Sequence, residues 1–366
     1  MKKLLAVIVL AHLAGAVPAA AGSLETRLQA VLETFAAANP SAPGVVAWAV
    51  CPGQGLDWAG AVGSANPETG ESLTTTHTFR IASNTKTYLA AAVLLLAEQG
   101  RLGLDDPLAR HLTGERRSQL AADGYDPEAM TIAQVLAHTS GLFEHPADPR
   151  YAEAIMADPH HRWTPDEQVA RCIEWGDPVG EPGEEFSYSD TGYVLLGEIV
   201  ARYAGTELGP AVRSLVGFER LGLDSTWWEI MEPVPAGAGP RAHQFYGEFD
   251  TYDWDPSLDL YGGGGLVCDV GDLGLFIRRL LKGGVLGRES SLAAMTGRGT
   301  AGYRLGLICT SLADRQAWGH SGFWNTFAYH VPSLDLTVAG CVLDHFAERG
   351  QVLADRLVAA VADADR

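Results

Sequence analysis

The strand-forming stretches of this chain lie at its two ends, and a long run of helical and loop sequence separates them. Residues 44–50 and 56–62 are apolar, with β-branched and aromatic residues, and are joined by Pro52-Gly53-Gln54-Gly55, a turn signal. Comparable stretches return at 303–310, 323–331 and 336–343, while 102–284 reads as helical segments and long loops. The segment 24–38 repeats apolar residues at helical spacing and stops at Asn39-Pro40, and 351–362 is amphipathic. Such an order predicts a mixed α/β (α+β) architecture. A sheet built from both ends is flanked by the first and last helices, with a large, mostly helical insertion. The expected partition is 22–82 with 285–366 for the sheet part and 83–284 for the helical part. A ligand site is expected where the two parts meet.

The first residues read as an export signal. Met1-Lys2-Lys3 is basic, an apolar run follows to Val17, and Pro18-Ala19-Ala20-Ala21 offers small residues for cleavage. Residues 1–21 are therefore expected to be removed, which predicts a periplasmic or secreted protein. No later segment is long and apolar enough to span a membrane. The formal net charge is −19, which argues against nucleic acid or anionic lipid as a partner, since both require a basic patch. The expected partner is a small molecule or short peptide. The five cysteines include no C-x-x-C pair, and buried thiols are expected at Cys51, Cys309 and Cys341, which sit in strand-like runs.

Three short elements carry chemistry. The first is Ser83-Asn84-Thr85-Lys86, at the start of an Ala- and Leu-rich helix expected over 83–100. Residues three apart share a helix face, so hydroxyl and ammonium can meet. Serine alone is a poor nucleophile, and a neighbouring lysine can activate it. The chain has four lysines, at 2, 3, 86 and 282, and otherwise writes its cations as arginine. Arginine could not replace Lys86 as a proton carrier. The second element is Phe186-Ser187-Tyr188-Ser189-Asp190, after a Gly-Pro loop and before a helix near Thr191. The third is Gly319-His320-Ser321-Gly322, leading into a strand from Phe323.

In this order and spacing the three elements resemble the serine β-lactamase and penicillin-binding protein superfamily, whose marks are S-x-x-K, Y-x-N and K-T-G. The similarity is strongest to the class C β-lactamase, DD-carboxypeptidase, D-aminopeptidase and family VIII esterase branch. Supporting segments are Phe79-Arg80-Ile81-Ala82, Leu136-Ala137-His138-Thr139-Ser140-Gly141-Leu142 and Tyr261-Gly262-Gly263-Gly264-Gly265-Leu266. The resemblance implies a β-lactamase/transpeptidase-like fold with an antiparallel sheet, and an acyl-enzyme at Ser83. It also implies Lys86 as activating partner, Tyr188 as general base and acid, and His320 in the place of a lysine or histidine. Asp190 with Ser321, Gly322 and Phe323 would bind substrate, the backbone N–H groups of Ser83 and Phe323 forming the oxyanion hole.

Two positions depart from the pattern. Asp190 stands where the family has asparagine. An ionised carboxylate accepts hydrogen bonds and donates none, so Asp190 is expected to pair with Lys86 and hold the amine charged. Tyr188, its proton affinity lowered by Lys86, is then the expected base. His320 replaces lysine and, neutral at pH 7, is expected to anchor a substrate carboxylate weakly. Both departures point from a dedicated β-lactamase towards an esterase or amidase with broader acyl specificity, whereas the export signal points towards cell-wall peptides. A peptide-binding sensor without turnover on the same fold is the alternative. No cofactor or metal is expected. The glycines 262–265 lack a following Gly-Lys-Ser/Thr, His160 and His161 are adjacent, and the acids of Phe249 to Asp259 lack EF-hand spacing. That acidic, aromatic segment is expected at the cleft rim. His138 is expected to be a satisfied structural histidine.

Overall fold

The computed structural model describes residues 23–365; the expected export signal, residues 1–21, lies outside them. The two ends of the chain do meet. Seven antiparallel strands run in the order Glu71–Ser72, Leu56–Asn66, Gly44–Cys51, Leu336–Val342, Thr326–Val331, Arg315–Gly322 and Ile308–Leu312. The junction is the pairing of Gly44–Cys51 with Leu336–Val342, where Val45 faces Val342 and Val50 faces Thr337.

Alternation along these strands sorts side chains onto two faces. Val45, Ala47 and Ala49, with Leu336, Val338 and Val342, pack against Leu28, Leu32 and Phe35 of the helix Leu24–Ala38. Leu353, Leu357, Val358 and Val361 of Gly350–Ala362 complete that layer. Each buried Val, Leu or Phe among them contributes about 1.5–3 kcal/mol by leaving water. On the opposite face Val46, Ala328, Ala339 and Cys341 join the core of the helical part. The helix Val270–Leu281 lies on this face, and a Cβ at Gly274 would fall 2.3 Å from the Trp48 ring.

The helix Thr85–Glu98 is buried on nearly every side, which its Ala- and Leu-rich sequence permits. Tyr88 on its flank stacks on Phe276 with ring centroids 3.4 Å apart. A small three-stranded sheet inside the helical part, Phe79–Arg80, Leu266–Cys268 and Trp227–Trp228, ties the approach to this helix to the glycine run. The chain reads differently from its structure at one site-bearing element. Gly319-His320-Ser321-Gly322 does not lead into a strand at Phe323; it ends the strand Arg315–Gly322, and Thr326–Val331 follows after a turn. Arg315 and Gln316 open that strand with polar residues, so its sequence shows no clean alternation.

Candidate active site

Ser83 sits in the single 3-10 turn Ala82–Asn84, immediately before the buried helix, rather than in its first α-helical turn. Ala82 has φ 46°, left-handed and costly for a residue with a Cβ. The turn is held through the Ile81 carbonyl, which accepts from Thr326 Oγ1 at 2.9 Å and Asn84 Nδ2 at 3.1 Å. Gly322 lets the strand end approach this turn, since a Cβ there would lie 2.3 Å from the Ile81 oxygen. Phe323 comes one residue past the last ladder pair, Gly322 with Thr326, and its half-exposed ring lines the cleft beside Ser83.

Lys86 is fully buried, one turn after Ser83. Its Nζ donates to Ser83 Oγ at 3.0 Å and to the Gly263 carbonyl at 2.6 Å, and pairs with Asp190 Oδ1 at 2.5 Å. The ammonium thus has two hydrogen-bond acceptors and one carboxylate ion-pair partner. Gly262 and Gly265, with φ of 124° and 117°, bend the glycine run so that the Gly263 carbonyl reaches Lys86. Asp190 opens the helix Asp190–Ala204 after the N-cap Ser189, and its backbone N–H donates to Glu144 Oε2. Burial and the Asp190 carboxylate push Glu144 well above the usual carboxylate range.

The Tyr188 hydroxyl is hydrogen-bonded to Ser83, and Lys86 Nζ lies 5.0 Å from its ring centroid. Its proton affinity runs opposite to the expectation. Burial and the charge of Asp190 hold Tyr188 well above the ordinary phenol value, the Ser83 hydrogen bond opposing them only in part. Lys86 faces the ring, whereas Asp190 brings negative charge that disfavours phenolate. Tyr188 is therefore protonated in the resting site.

His320 is placed behind the cleft rather than in it, with 1% of its surface exposed. Nδ1 donates to the Ser321 carbonyl at 2.6 Å, so Nε2 is the acceptor from the Tyr303 hydroxyl at 2.9 Å. Burial, then Lys86, lowers its pKa to about 3. It is neutral and committed on both nitrogens, so it offers no cation to a substrate carboxylate. His138 is only half satisfied: Nδ1 accepts from the Ser189 N–H at 3.0 Å, while buried Nε2 has no partner among the described residues. Its ring lies 4.1 Å from that of Tyr188.

The cleft over Ser83 encloses roughly 840 Å³ including its open mouth. Tyr151, Ile155, Met156, Leu258, Tyr246, Trp254, Phe323 and Trp324 give it apolar and aromatic walls, and Asp190 and Asp259 are the charged residues lining it. Trp254 and Asp259 belong to the segment expected at the rim. Two contributors escape a reading of motifs. Gly263 acts through its backbone oxygen, which no side-chain pattern reports. Glu144 is one acid after an apolar run, and its only sequence signal is its place six residues after His138.

A buried lysine on a serine at a helix start, with a tyrosine on the serine and a cleft between sheet and helices, defines a serine hydrolase of the β-lactamase and penicillin-binding-protein type. The chain belongs to the Beta-lactamase family, whose model matches residues 28–362. Over 122 residues it is 37% identical to Protein flp of Staphylococcus aureus (strain N315), covering 33% of this chain and 22% of that one. A penicillin-binding protein of Bacillus subtilis (strain 168) is 29% identical over 157 residues, 42% of this chain and 31% of the relative. The chain thus matches less than a third of either relative's length. Among solved structures, a D-stereospecific amidohydrolase from Streptomyces sp. superposes with TM-score 0.77 at 27% identity, covering 90% of this chain and 97% of that one. The D-amino acid amidase from Ochrobactrum anthropi SV3 shares the fold with TM-score 0.80 at 23% identity, covering 94% and 100%.

Proposed function

We propose that this protein hydrolyses a small amide or ester through an acyl-enzyme at Ser83, and that amides are its principal substrates. The observation that carries the reading is the 3.0 Å contact between Ser83 Oγ and a fully buried Lys86 at the floor of an open cleft. The similarity to an amidohydrolase at 27% identity supports the amide.

The proton bookkeeping follows from the geometry. Lys86 and Tyr188 both contact Ser83, and Tyr188 starts protonated, so it relays a proton rather than taking one as phenolate. Ser83 Oγ attacks the carbonyl carbon and passes its proton to Tyr188 Oη, while the Tyr188 proton moves to the leaving nitrogen or oxygen. The bond to the leaving group breaks and an ester on Ser83 remains. Water then attacks that ester, giving its proton to Tyr188 as Tyr188 returns one to Ser83 Oγ. Lys86 donates to Ser83 Oγ throughout, and the N–H groups of Ser83 and Phe323 take the oxyanion.

The cleft lining disfavours two relatives of this chemistry. It holds two carboxylates and no lysine, arginine or histidine, and His320 is buried and neutral. A substrate with a carboxylate beside the scissile bond, such as a D-Ala-D-Ala peptide or a penicillin, meets like charge there. We further propose export, on the basic, apolar and small-residue order of 1–21. Among the described residues no helix is long and apolar enough to cross a membrane. The test is a side-by-side assay of a p-nitrophenyl ester, a D-amino-acid amide, a D-Ala-D-Ala peptide and nitrocefin. The expected order places the ester and the amide first. Stoichiometric acylation without turnover would support a sensor instead, and fastest turnover of nitrocefin would overturn the reading of the cleft.

A further inference from the structure

The short helix Ile132–Leu136 ends on His138. The His138 N–H donates to the Val135 carbonyl at 3.2 Å, and the Thr139 N–H donates to the Gln134 carbonyl at 2.8 Å. This is a helix end closed by one left-handed residue, and His138 has φ 57°. Glycine fills such a place at the least cost, because a Cβ strains the left-handed conformation. The helix end therefore does not ask for an imidazole. What the imidazole touches does account for it.

The His138 carbonyl accepts from the Ser187 N–H at 2.8 Å, and Nδ1 accepts from the Ser189 N–H at 3.0 Å. These two donors flank Tyr188 in the chain. Between them the imidazole lies against the Tyr188 ring, with centroids 4.1 Å apart and planes 31° apart. Tyr303 and Tyr193 enclose the imidazole, at 4.6 and 5.0 Å between centroids. Burial, then Lys86 and His320, push its pKa well below the ordinary value, so the ring stays neutral and Nδ1 stays an acceptor. The proton is then on Nε2, which is buried with no hydrogen-bond partner among the described residues. A buried, unpaired N–H is costly, and glycine at this place would avoid it. We infer that His138 is a positioning residue for the reaction: it grips the chain on both sides of Tyr188, backs its ring, and so holds the Tyr188 hydroxyl on Ser83. This deepens the hydrolase reading and rests on Tyr188 as the proton relay to and from Ser83. His138 stands behind Tyr188 and not among the residues lining the cleft, so its loss acts on kcat rather than on substrate binding.

The experiment compares wild type, His138→Gly and His138→Asn on the p-nitrophenyl ester and the D-amino-acid amide, each with and without Tyr188→Phe. Glycine keeps the helix end and removes both ring and acceptor. Asparagine tolerates the left-handed backbone and returns an acceptor for the Ser189 N–H. His138→Gly should lower kcat about 10²-fold, the effect of misplacing a reacting group by about 1 Å, with KM within about threefold of wild type. His138→Asn should recover at least about tenfold of that loss. With Tyr188→Phe in place, His138→Gly should cost no more than roughly twofold, since the hydroxyl it positions is gone. Equal losses in the two backgrounds would overturn the inference and leave the hydrolase reading standing. Crystal structures of the variants read the position of Tyr188 apart from turnover. The Tyr188 hydroxyl should leave Ser83 in His138→Gly and return to it in His138→Asn; a hydroxyl still on Ser83 in His138→Gly would overturn the inference. A displaced Tyr188 in a protein whose wild type never acylates at Ser83 would keep the grip of His138 and count against the hydrolase reading.

Discussion

Tyr188 shows how one residue's surroundings decide its role. A phenol beside a lysine suggests a lowered proton affinity, but the lysine lies over its ring and the charge that acts most strongly on its hydroxyl is Asp190. Tyr188→Phe keeps the ring stacked near His138 and removes only the relay. It is expected to lower kcat roughly 10²- to 10⁴-fold, the usual range for a lost general acid–base, with the fold unchanged by circular dichroism. Because Tyr188 is protonated well past neutrality, wild-type kcat on an amine-free ester should show no ascending limb from tyrosine ionisation between pH 6 and pH 9. A tenfold rise across that range, absent in Tyr188→Phe, would restore the phenolate base. At this scale the spacing of Ser83 and Lys86 made their contact legible, whereas the meeting of that pair with Tyr188 and Asp190 was legible only through the resemblance of the three short elements to a known family. Asp259 was legible only as one acid of a segment expected at the cleft rim, since nothing in the sequence sets it apart from Asp250, Asp253 and Asp255.

Elements position these residues through close backbone approach. The strand Arg315–Gly322 comes against the Ser83 turn only because Gly322 lacks a side chain, and Thr326 on the next strand reaches the same carbonyl. Gly322→Ala should force the strand end and the turn apart, costing about 1–3 kcal/mol of stability as overpacking does. Activity should fall further than stability explains, measured as kcat/KM well below the melting temperature. A variant with wild-type kcat/KM would show that the approach is not needed for the site. The end helices and most strands were legible from periodicity, but this strand was not. Its register is set by glycines that fit against Ala328 and Ile81 rather than by an alternating apolar face.

Across the molecule, buried carboxyls without a cation shape the response to pH. Asp272 is raised to about 7, by burial and then by Asp269, although Ser225 N–H and Thr226 Oγ1 both donate to it. Its unfolded value lies near ~3.9, so between about pH 4 and pH 7 the unfolded chain binds fewer protons at this group. Its contribution to stability therefore falls as pH rises through that window. Asp272→Asn should raise the melting temperature at pH 8 relative to wild type, and the gain should shrink towards pH 5. A constant difference would show that the variant acts through its hydrogen bonds alone. The two-part architecture itself was legible, because strand sequence at both ends leaves few ways to bury it. The depth of the acid groups was not, since it depends on how helices close over them.

All of this turns on Ser83 becoming a nucleophile, and intact-protein mass spectrometry tests that most directly. After mixing with a fluorophosphonate, wild type should gain one phosphonyl adduct, located by fragmentation on Ser83, while Ser83→Ala gains none and Lys86→Ala gains it far more slowly. An unmodified wild type, or equal labelling of Ser83→Ala, would contradict the account.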